Sequence, residues 1–391
     1  MIYFHWIAGC LLAAVWFSRL ADAALGVPSI TDISRPEWDR TPAKSGASTR
    51  VSVIVPARNE EHDIEQTLRR LLALDYNNYE VVAVDDRSSD RTGEIIGRLA
   101  RSKEALGILK VISIDELPSG WIGKTHAMWS ASQQATGDWL LFTDADVQFK
   151  PDSVRRAIAY AEAEPADHVV LFPRMIMKQP GEKMMTAFFQ TLFVFGHRPW
   201  KVADPRTRDH MGVGAFNLIR RCVYEAIGTY QALRMEILDD MKLGKVVKNA
   251  GYAQRNVFGA DLISIRWAKG ATGMVNNLTK NFYAVMSFQW PRTLASCIAL
   301  AFLNLWPFFG ALLAHDWARL PYGIALASMF SIYVGMSKQS DVPPYYFVLH
   351  PVSTTLFVYT MLRSMIITLG RGGVEWRGRF YPLEELKRGL V

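Results

Sequence analysis

The sequence predicts an α/β domain built on a mostly parallel sheet, with membrane-spanning helices on its N- and C-terminal sides. Three observations carry this prediction. Over residues 50–143, short β-branched runs alternate with segments of helical spacing, the pattern of a parallel sheet covered on both faces. Charge is shared unevenly: of 44 Lys+Arg and 37 Asp+Glu, only seven lie between Gly270 and Leu369, and none precedes Arg19. The unusual polar groups of the charge-dense part fall just after predicted strands, where ligands bind in open parallel sheets. A length of 391 residues with 50% apolar side chains suits one large or two ordinary domains and excludes a disordered or collagen-like chain.

Taken in order, residues 2–17 are apolar and Arg19 follows them. No basic residue precedes this run, whereas Arg19, Arg35, Arg40, Lys44 and Arg50 come after it. The basic side is expected in the cytoplasm, with residues 1–20 as an uncleaved anchor. Ala21-Asp22-Ala23 keeps a cleaved signal peptide as the competing reading. Residues 21–49 contain Pro28, Pro36, Pro42, Ser45 and Gly46 and read as a linker. The main domain is placed at residues 50–270. Its first strand is Val51-Ser52-Val53-Ile54-Val55, ended by Pro56. A helix over residues 63–74 follows, with Ile64, Leu68, Leu71 and Leu72 on one face. Strand 80–84 ends at Asp85-Asp86, and a helix at 93–100, a strand at 109–114, a helix at 125–135 and a strand at 139–143 complete the alternation.

On the C-terminal side, residues 271–293 mix Lys280, Phe282, Tyr283, Phe288, Trp290 and Arg292, as expected of an amphipathic stretch on the cytoplasmic membrane surface. Residues 294–314 form an uncharged run of 21 residues, long enough to cross a hydrocarbon core of roughly 30 Å as a helix. Residues 320–336 and 345–362 are shorter and nearly as apolar, so two to three crossings are expected within residues 294–369. An anchor plus three crossings would leave the basic tail, residues 370–391, outside, against the positive-inside tendency. Pro343-Pro344 and His350-Pro351 mark the last segment as the one expected to be irregular.

Cys10, Cys222 and Cys297 have no metal-ligand spacing and imply no disulfide framework. The net charge of +7 comes without a basic-aromatic binding motif, so no nucleic-acid partner is expected. The excess suits loops that face anionic lipid headgroups.

Asp144-x-Asp146 stands just beyond the apolar run Leu140-Leu141-Phe142-Thr143. Two carboxylates there are hard oxygen ligands suited to Mg2+ or Mn2+ shared with a diphosphate; a turn that caps the following helix is the alternative. Glu60 and Asp85-Asp86 read equally as ligand-binding acceptors or as helix caps at strand ends. Lys124, preceded by a glycine in a predicted loop, is either a phosphate ligand or a solvated surface lysine. Asp239-Asp240 alone suits an exposed acidic pair at the N-terminus of a helix over residues 241–247.

Taken together and in order, Val53-Ile54-Val55-Pro56-Ala57-Arg58-Asn59-Glu60-Glu61, Val84-Asp85-Asp86-Arg87-Ser88-Ser89-Asp90, Gly123-Lys124 with Ala127, Asp144-Ala145-Asp146 and Leu238-Asp239-Asp240-Met241-Lys242-Leu243-Gly244 resemble family-2 glycosyltransferases of the GT-A fold. The resemblance covers residues 50–292. With membrane segments on both sides, the chain looks most like the bacterial hopene-associated and carotenoid-type members. It implies a Rossmann-like nucleotide-sugar domain in which Pro56, Arg58, Glu60, Asp85, Asp86, Lys124 and Asp144 bind a UDP-sugar donor. Glu60 and Asp85-Asp86 would hold uridine and ribose, and Lys124 would lie near the diphosphate. Asp146 would bind the metal directly, with Asp144 on the ribose or the metal. Asp240 would take the proton from the acceptor hydroxyl, beside Asp239 in place of the commoner Glu.

Gly212-Val213-Gly214-Ala215-Phe216 matches a small-residue segment that admits the acceptor, with Gly214 and Ala215 as acceptor-side residues, or else reflects tight packing. Gln289-x-x-Arg292 is similar to the Gln-x-x-Arg-Trp motif of polymerising and ceramide-type members, with Thr293 in place of the tryptophan. Residues 371–381 resemble a closing segment of the carotenoid- and hopene-type members. The implied function is a membrane-bound inverting glycosyltransferase in the cell (inner) membrane, its catalytic domain cytoplasmic. It would move one sugar to the hydroxyl of a hopanoid, carotenoid-like or sphingolipid-like acceptor. A processive polysaccharide synthase is the alternative, although three to four crossings are few for a channel. A non-catalytic membrane scaffold with a retained GT-A fold is another, although a scaffold has no need of carboxylates at every expected strand end.

Overall fold

In the computed structural model, which describes residues 2–41 and 49–391, the β-branched run becomes the strand Val51–Ala57 in the interior of an eight-stranded sheet. Its side chains alternate between two buried layers. Val51, Val53, Val55 and Ala57 pack into one hydrophobic cluster with Ile64, Leu68, Ile95 and Val154, whereas Ile54 packs into the other with Ala127, Met128, Leu243 and Val247. The strand's period of two therefore feeds both faces, each covered by helices. Each such Val or Ile, fully buried, contributes about 1.5–3 kcal/mol.

The strand order is Thr31–Asp32, Gln254–Phe258, His168–Leu171, Asn217–Arg220, Trp139–Phe142, Val51–Ala57, Tyr79–Asp86, Leu109–Ile114. All neighbours are parallel except Asn217–Arg220, which is antiparallel to the strands on both its sides. The pairs Ile54↔Phe142 and Ala57↔Asp85 set the carboxyl ends of three strands side by side. Pro56 lies past the last pair with Trp139–Phe142, where that ladder has already ended. The helices Ile64–Leu72, Thr92–Ala100, Gly123–Gln134, Ser153–Ala163 and Asp239–Asn249 lie between or after these strands.

The sheet belongs to a unit made of Ile30–Ile176, Lys201–Arg266 and Arg388–Val391. Its first strand corrects the expected linker. Thr31 and Asp32 pair with Val257 and Phe258, and the Ile33 amide donates to the Phe258 carbonyl at 2.8 Å. Two paired residues are too few to leave a periodic signal in the sequence. Pro42, Lys44, Ser45 and Gly46 of that segment lie outside the described residues.

The second unit comprises Met1–Ser29, Met177–Trp200 and Trp267–Lys387. Among the described residues, four of its stretches are long and apolar enough to cross a membrane: Tyr3–Ser29, Trp290–Leu313, Asp316–Ser337 and Pro344–Arg371. The first helix runs to Gly26, past the expected end of the anchor. The last stretch is irregular only at its start: Pro344–Leu349 is a 3-10 turn, and His350–Arg371 is one continuous helix. Pro351 sits in its first turn, where a missing N–H costs no helical hydrogen bond, and Pro344 opens the short 3-10 turn before it. The proline inside a helix is instead Pro307, in Trp290–Leu313.

Residues 271–293 form no single amphipathic element. The helix Gly270–Val285 ends, Ser287 and Phe288 take left-handed φ of 53° and 55°, and a new helix begins at Trp290. Within this unit His350 is fully buried, 2.9 Å from the Tyr333 hydroxyl and 3.1 Å from Asn304 Oδ1, which joins three of the apolar stretches. The tail contains the hairpin Gly373–Trp376 with Arg379–Pro382, then the helix Leu383–Arg388. The three cysteines are free.

Candidate active site

The strand Trp139–Phe142 sets the register of the acidic motif. Ala145 and Val147 are buried in the core while Asp144 and Asp146 are only partly buried, so the two carboxylates share the open side. The turn is fixed by its own backbone: the Thr143 amide donates to the Ile54 carbonyl at 3.1 Å, and Thr143 Oγ1 donates to the Ala215 carbonyl at 2.8 Å. The Asp144 amide donates to the Gly214 carbonyl at 3.0 Å.

Gly214 joins this motif to the second acidic pair. Its own N–H donates to Asp240 Oδ2 at 2.9 Å, and the Met241 amide donates to Asp240 Oδ1 at 2.7 Å. A Cβ on Gly214 would run into Asp144 Oδ2, and one on Gly212 into the Asp240 carbonyl. The two glycines are therefore required for a strip of chain to pass between Asp144 and Asp240. Tight packing accounts for the small-residue run, and Ala215, 2% exposed, faces the core and not an acceptor surface.

Lys124 completes the constellation. It stands in the first turn of the helix Gly123–Gln134, not in the predicted loop, because Gly123 already belongs to that helix. Its ammonium lies 2.8 Å from Asp144 Oδ1 and 3.4 Å from Asp239 Oδ2. Burial pushes the ammonium pKa down, but Asp144, Asp239 and Asp240 outweigh it and hold the value well above the ordinary lysine range.

One ammonium does not balance the carboxylates around it. Burial pushes Asp239 up to about 7; Lys124 opposes the rise, and Asp240 and Asp144 add to it. Asp240 is raised as well, by burial, against Lys124 and its two backbone donors. Burial pushes Asp146 up to about 7, helped by Asp144, Glu60 and Asp63. The site thus holds more negative charge than its own cation neutralises, an environment suited to a divalent cation. Among the described residues no three His, Cys, Asp or Glu are grouped to hold a metal by themselves. Asp144 and Asp146 fit a cation that takes further oxygen ligands from a bound diphosphate.

On the neighbouring strand ends, Asp85 and Asp86 differ. Asp85 accepts from the Ser88 amide at 3.2 Å, and Gly93 leaves its other oxygen just enough room, so Asp85 shapes the loop. Asp86, 3% exposed, is gripped by Arg87 through Nε at 2.7 Å and Nη2 at 2.9 Å, with Arg58 Nη1 at 4.0 Å. The loops after the two strands are laced together. The Asn59 amide donates to Ser88 Oγ at 3.1 Å, the Ser89 amide to Asn59 Oδ1 at 2.8 Å and the Glu60 amide to Thr92 Oγ1 at 2.7 Å. Asn59 and Arg87 adopt left-handed φ of 54° and 56° to make these turns.

Residues 52–228 match the family model described as Glycosyl transferase family 2. Over that segment the chain is similar to family-2 glycosyltransferases. The 4,4'-diaponeurosporenoate glycosyltransferase of Staphylococcus aureus (strain bovine RF122 / ET3-1) is similar to it, 23% identical over 346 residues that cover 86% of this chain and 89% of the relative. The enzyme of the same description from Staphylococcus haemolyticus (strain JCSC1435) is 24% identical over 64% of this chain and 65% of its own length. Among solved structures, a mannosyltransferase from Pyrobaculum calidifontis in complex with GDP-Man and Mn2+ is similar, with a TM-score of 0.51 and 19% identity over 93% of this chain and 99% of that one. The fold is GT-A.

Asp239 and Asp240 lie beyond the matched segment, and Gly214, inside it, is what brings Asp240 to Asp144. Gln289 and Arg292 are outside the unit that holds the sheet. They belong to the other unit, where the Gln289 carbonyl accepts from Thr293 Oγ1 at 3.0 Å and Arg292 Nη1 donates to Ser287 Oγ at 3.3 Å. Sequence reasoning missed Arg87 as the partner of Asp86. It also missed His126, 8% exposed, whose ring lies 5.3 Å from that of Trp121 and whose pKa burial pushes down. The single available signal was the spacing Gly123-Lys124-x-His126, which places Lys124 and His126 in the opening turns of one helix.

Proposed function

We propose that the chain is a membrane-bound inverting glycosyltransferase that moves one sugar from a cytoplasmic UDP-sugar to the hydroxyl of a lipid. The observation that carries the reading is the passage of Gly214 between Asp144 and Asp240, so that the aspartates proposed as metal ligand and base both bond to one short strip of backbone. Asp144 and Asp146 would hold Mg2+ or Mn2+, which supplies charge neutralisation to the departing diphosphate. Lys124 binds phosphate oxygens in exchange for part of its contact with Asp144. Glu60 and Asp86, the latter with Arg58 and Arg87, line the nucleoside end. Asp240 takes the acceptor proton as the acceptor oxygen attacks the anomeric carbon; the bond to the diphosphate breaks, and configuration inverts in a single displacement. Its raised pKa gives it more proton affinity than an ordinary aspartate, which a base needs.

Four apolar stretches and the similarity to carotenoid glycosyltransferases support a lipid acceptor. Membranes containing the protein, supplied with UDP-sugars and GDP-sugars together, Mn2+ and lipid extract, are expected to release UDP and form one new glycolipid. Asp240→Asn should lower turnover by about 10³-fold, within the range for loss of a general base. Release of GDP in place of UDP would overturn the donor assignment, and a long polymer would overturn single transfer. The staphylococcal relatives are named for a carboxylate, which favours a second reading. A carboxylate acceptor arrives without a proton to remove, so Asp240→Asn turnover close to that of the unaltered protein would point there.

A further inference from the structure

We propose that His168 is a positioning residue for glycosyl transfer, closing a one-way circuit of hydrogen bonds that holds residues 211–214 and, through Gly214, the Asp240 carboxylate. The inference rests on Asp240 being the base. His168 opens the strand His168–Leu171, is 0% exposed and touches no solvent, so it acts only through its neighbours.

The direction of every link is set by chemistry. Asn217 Nδ2 donates to the Val213 carbonyl at 2.8 Å, so Asn217 Oδ1 is left as the acceptor. His168 Nε2, 3.1 Å from that oxygen, must donate to it. At the other side Gln254 Oε1 accepts from the Met211 amide at 2.9 Å, so Gln254 Nε2 is the donor. His168 Nδ1, 2.7 Å from it, must accept. The circuit runs from the Met211 N–H through Gln254, His168 and Asn217 to the Val213 carbonyl, and both its ends lie on the same strip of chain. Only the neutral ring with its proton on Nε2 completes it, and burial pushes the His168 pKa down to about 4, which keeps the ring neutral.

The circuit also reaches the helix that carries the acidic pair. Gln254 Nε2 lies 3.0 Å from the Met211 carbonyl and 3.3 Å from the Gly244 carbonyl, inside the helix Asp239–Asn249. A Cβ on Gly244 would run into the Met211 carbonyl, so strip and helix meet backbone to backbone. Packing alone would be met by any apolar ring at position 168. What the imidazole adds is one acceptor and one donor at fixed separation, which holds both ends of the strip at once.

The test uses the full-length protein. His168→Phe keeps an aromatic ring, slightly larger than the imidazole, and removes both hydrogen bonds; His168→Gln restores one acceptor and one donor. The Phe variant should lose at least tenfold in kcat, the order expected for misplacing a reacting group by a fraction of an ångström. Its KM for the nucleotide sugar should stay within about threefold, because the residue touches no donor group. The Gln variant should recover most of the loss. Hydrogen exchange at the Gly214 amide, which bonds to Asp240 and not to the circuit, should be about tenfold faster in the Phe variant and return with Gln. If the Phe variant does not fold, Gln254→Met, which cuts the circuit at Met211, is read the same way. Unchanged Gly214 exchange, or a Phe-variant kcat within about threefold of the unaltered protein, overturns the proposal. Absence of transfer by the unaltered protein would instead count against the proposed function, and the exchange measurement would still decide the circuit.

Discussion

The two ends of the central sheet carry buried carboxylates with opposite chemistry. At the amino ends, Glu80 is 0% exposed and is surrounded by donors: Ser52 Oγ at 2.7 Å, the Thr136 amide at 2.6 Å and hydroxyl at 2.7 Å, and the Lys110 ammonium at 2.6 Å. Burial pushes its pKa up, but Lys110, Ser52 and Thr136 prevail and hold it at about 2. At the carboxyl ends, Asp146 and Asp239 are pushed up to about 7 by burial and by other carboxylates. Burial is common to both ends. What differs is the supply of donors: Glu80 is completed by the fold, whereas the aspartates are left for something the fold does not supply.

The widest separation between the two ends should come from Asp146→Asn. It removes a proposed metal ligand, and turnover should fall by at least ~10²-fold, as expected when several kcal/mol of leaving-group stabilisation is lost. Thermal stability without metal should hold or rise, because a buried repulsion with Asp144 and Glu60 is relieved. Activity assays and melting curves on the same preparation read both effects. A variant that melts early and retains turnover would place Asp146 with Glu80 as a structural carboxylate.

The converse substitution, Glu80→Ala, should cost about 3 kcal/mol of stability. It strands the Thr136 amide and the Ser52 hydroxyl, each worth ~1–3 kcal/mol when left unsatisfied in the interior. Turnover per folded molecule should be unchanged, since no contact of Glu80 reaches the carboxyl ends of the strands. Denaturant titration gives the first quantity and initial rates below the melting range give the second. Lost turnover in a variant of full stability would show that the two ends are not independent.

This contrast was only half legible in the sequence. Asp144, Asp146, Asp85 and Asp86 announce themselves because each follows an apolar run with a strand's period. That period is a local signal, and the strands Val51–Ala57, Tyr79–Asp86, Leu109–Ile114 and Trp139–Phe142 are found with helices between them, although Pro56, Asp85 and Asp86 lie inside their strands and not after them. Glu80 reads merely as the first residue of a strand, since its donors come from Ser52 and Thr136, 28 and 56 residues away. The His168 circuit is silent for the same reason, with partners 49 and 86 residues distant. Strand order is likewise non-local: nothing in Thr31-Asp32 foretells pairing with Val257 and Phe258. The sequence puts Lys124 in a loop just before a helix expected at 125–135; helix periodicity begins too weakly at Gly123 to reveal that the helix has started.

The smallest expected effect tests the contrast through pH. Glu80 has a folded pKa of about 2 against an ordinary 4.5, so its contribution to stability is full above 4.5 and is lost as pH falls toward 2. Asp146 and Asp239 run the other way. Their values rise from 3.8 to about 7, so between those limits the folded chain holds protons that the unfolded chain has released. Their contribution is full below 3.8 and is lost as pH rises through 7. The metal-free protein should therefore melt a few degrees lower at pH 7.5 than at pH 5, a shift of order 1–2 kcal/mol for a domain of this size. Mn2+ with UDP should recover more of the loss at pH 7.5 than at pH 5, because a cation stabilises the ionised carboxylates and competes with protons at the lower pH. Asp146→Asn should flatten the metal-free slope, and Glu80→Ala should leave it in place. A metal-free melting temperature that stays level from pH 5 to 7.5 would mean that the carboxyl-end aspartates are already neutralised within the fold, and the distinction between the two ends would collapse.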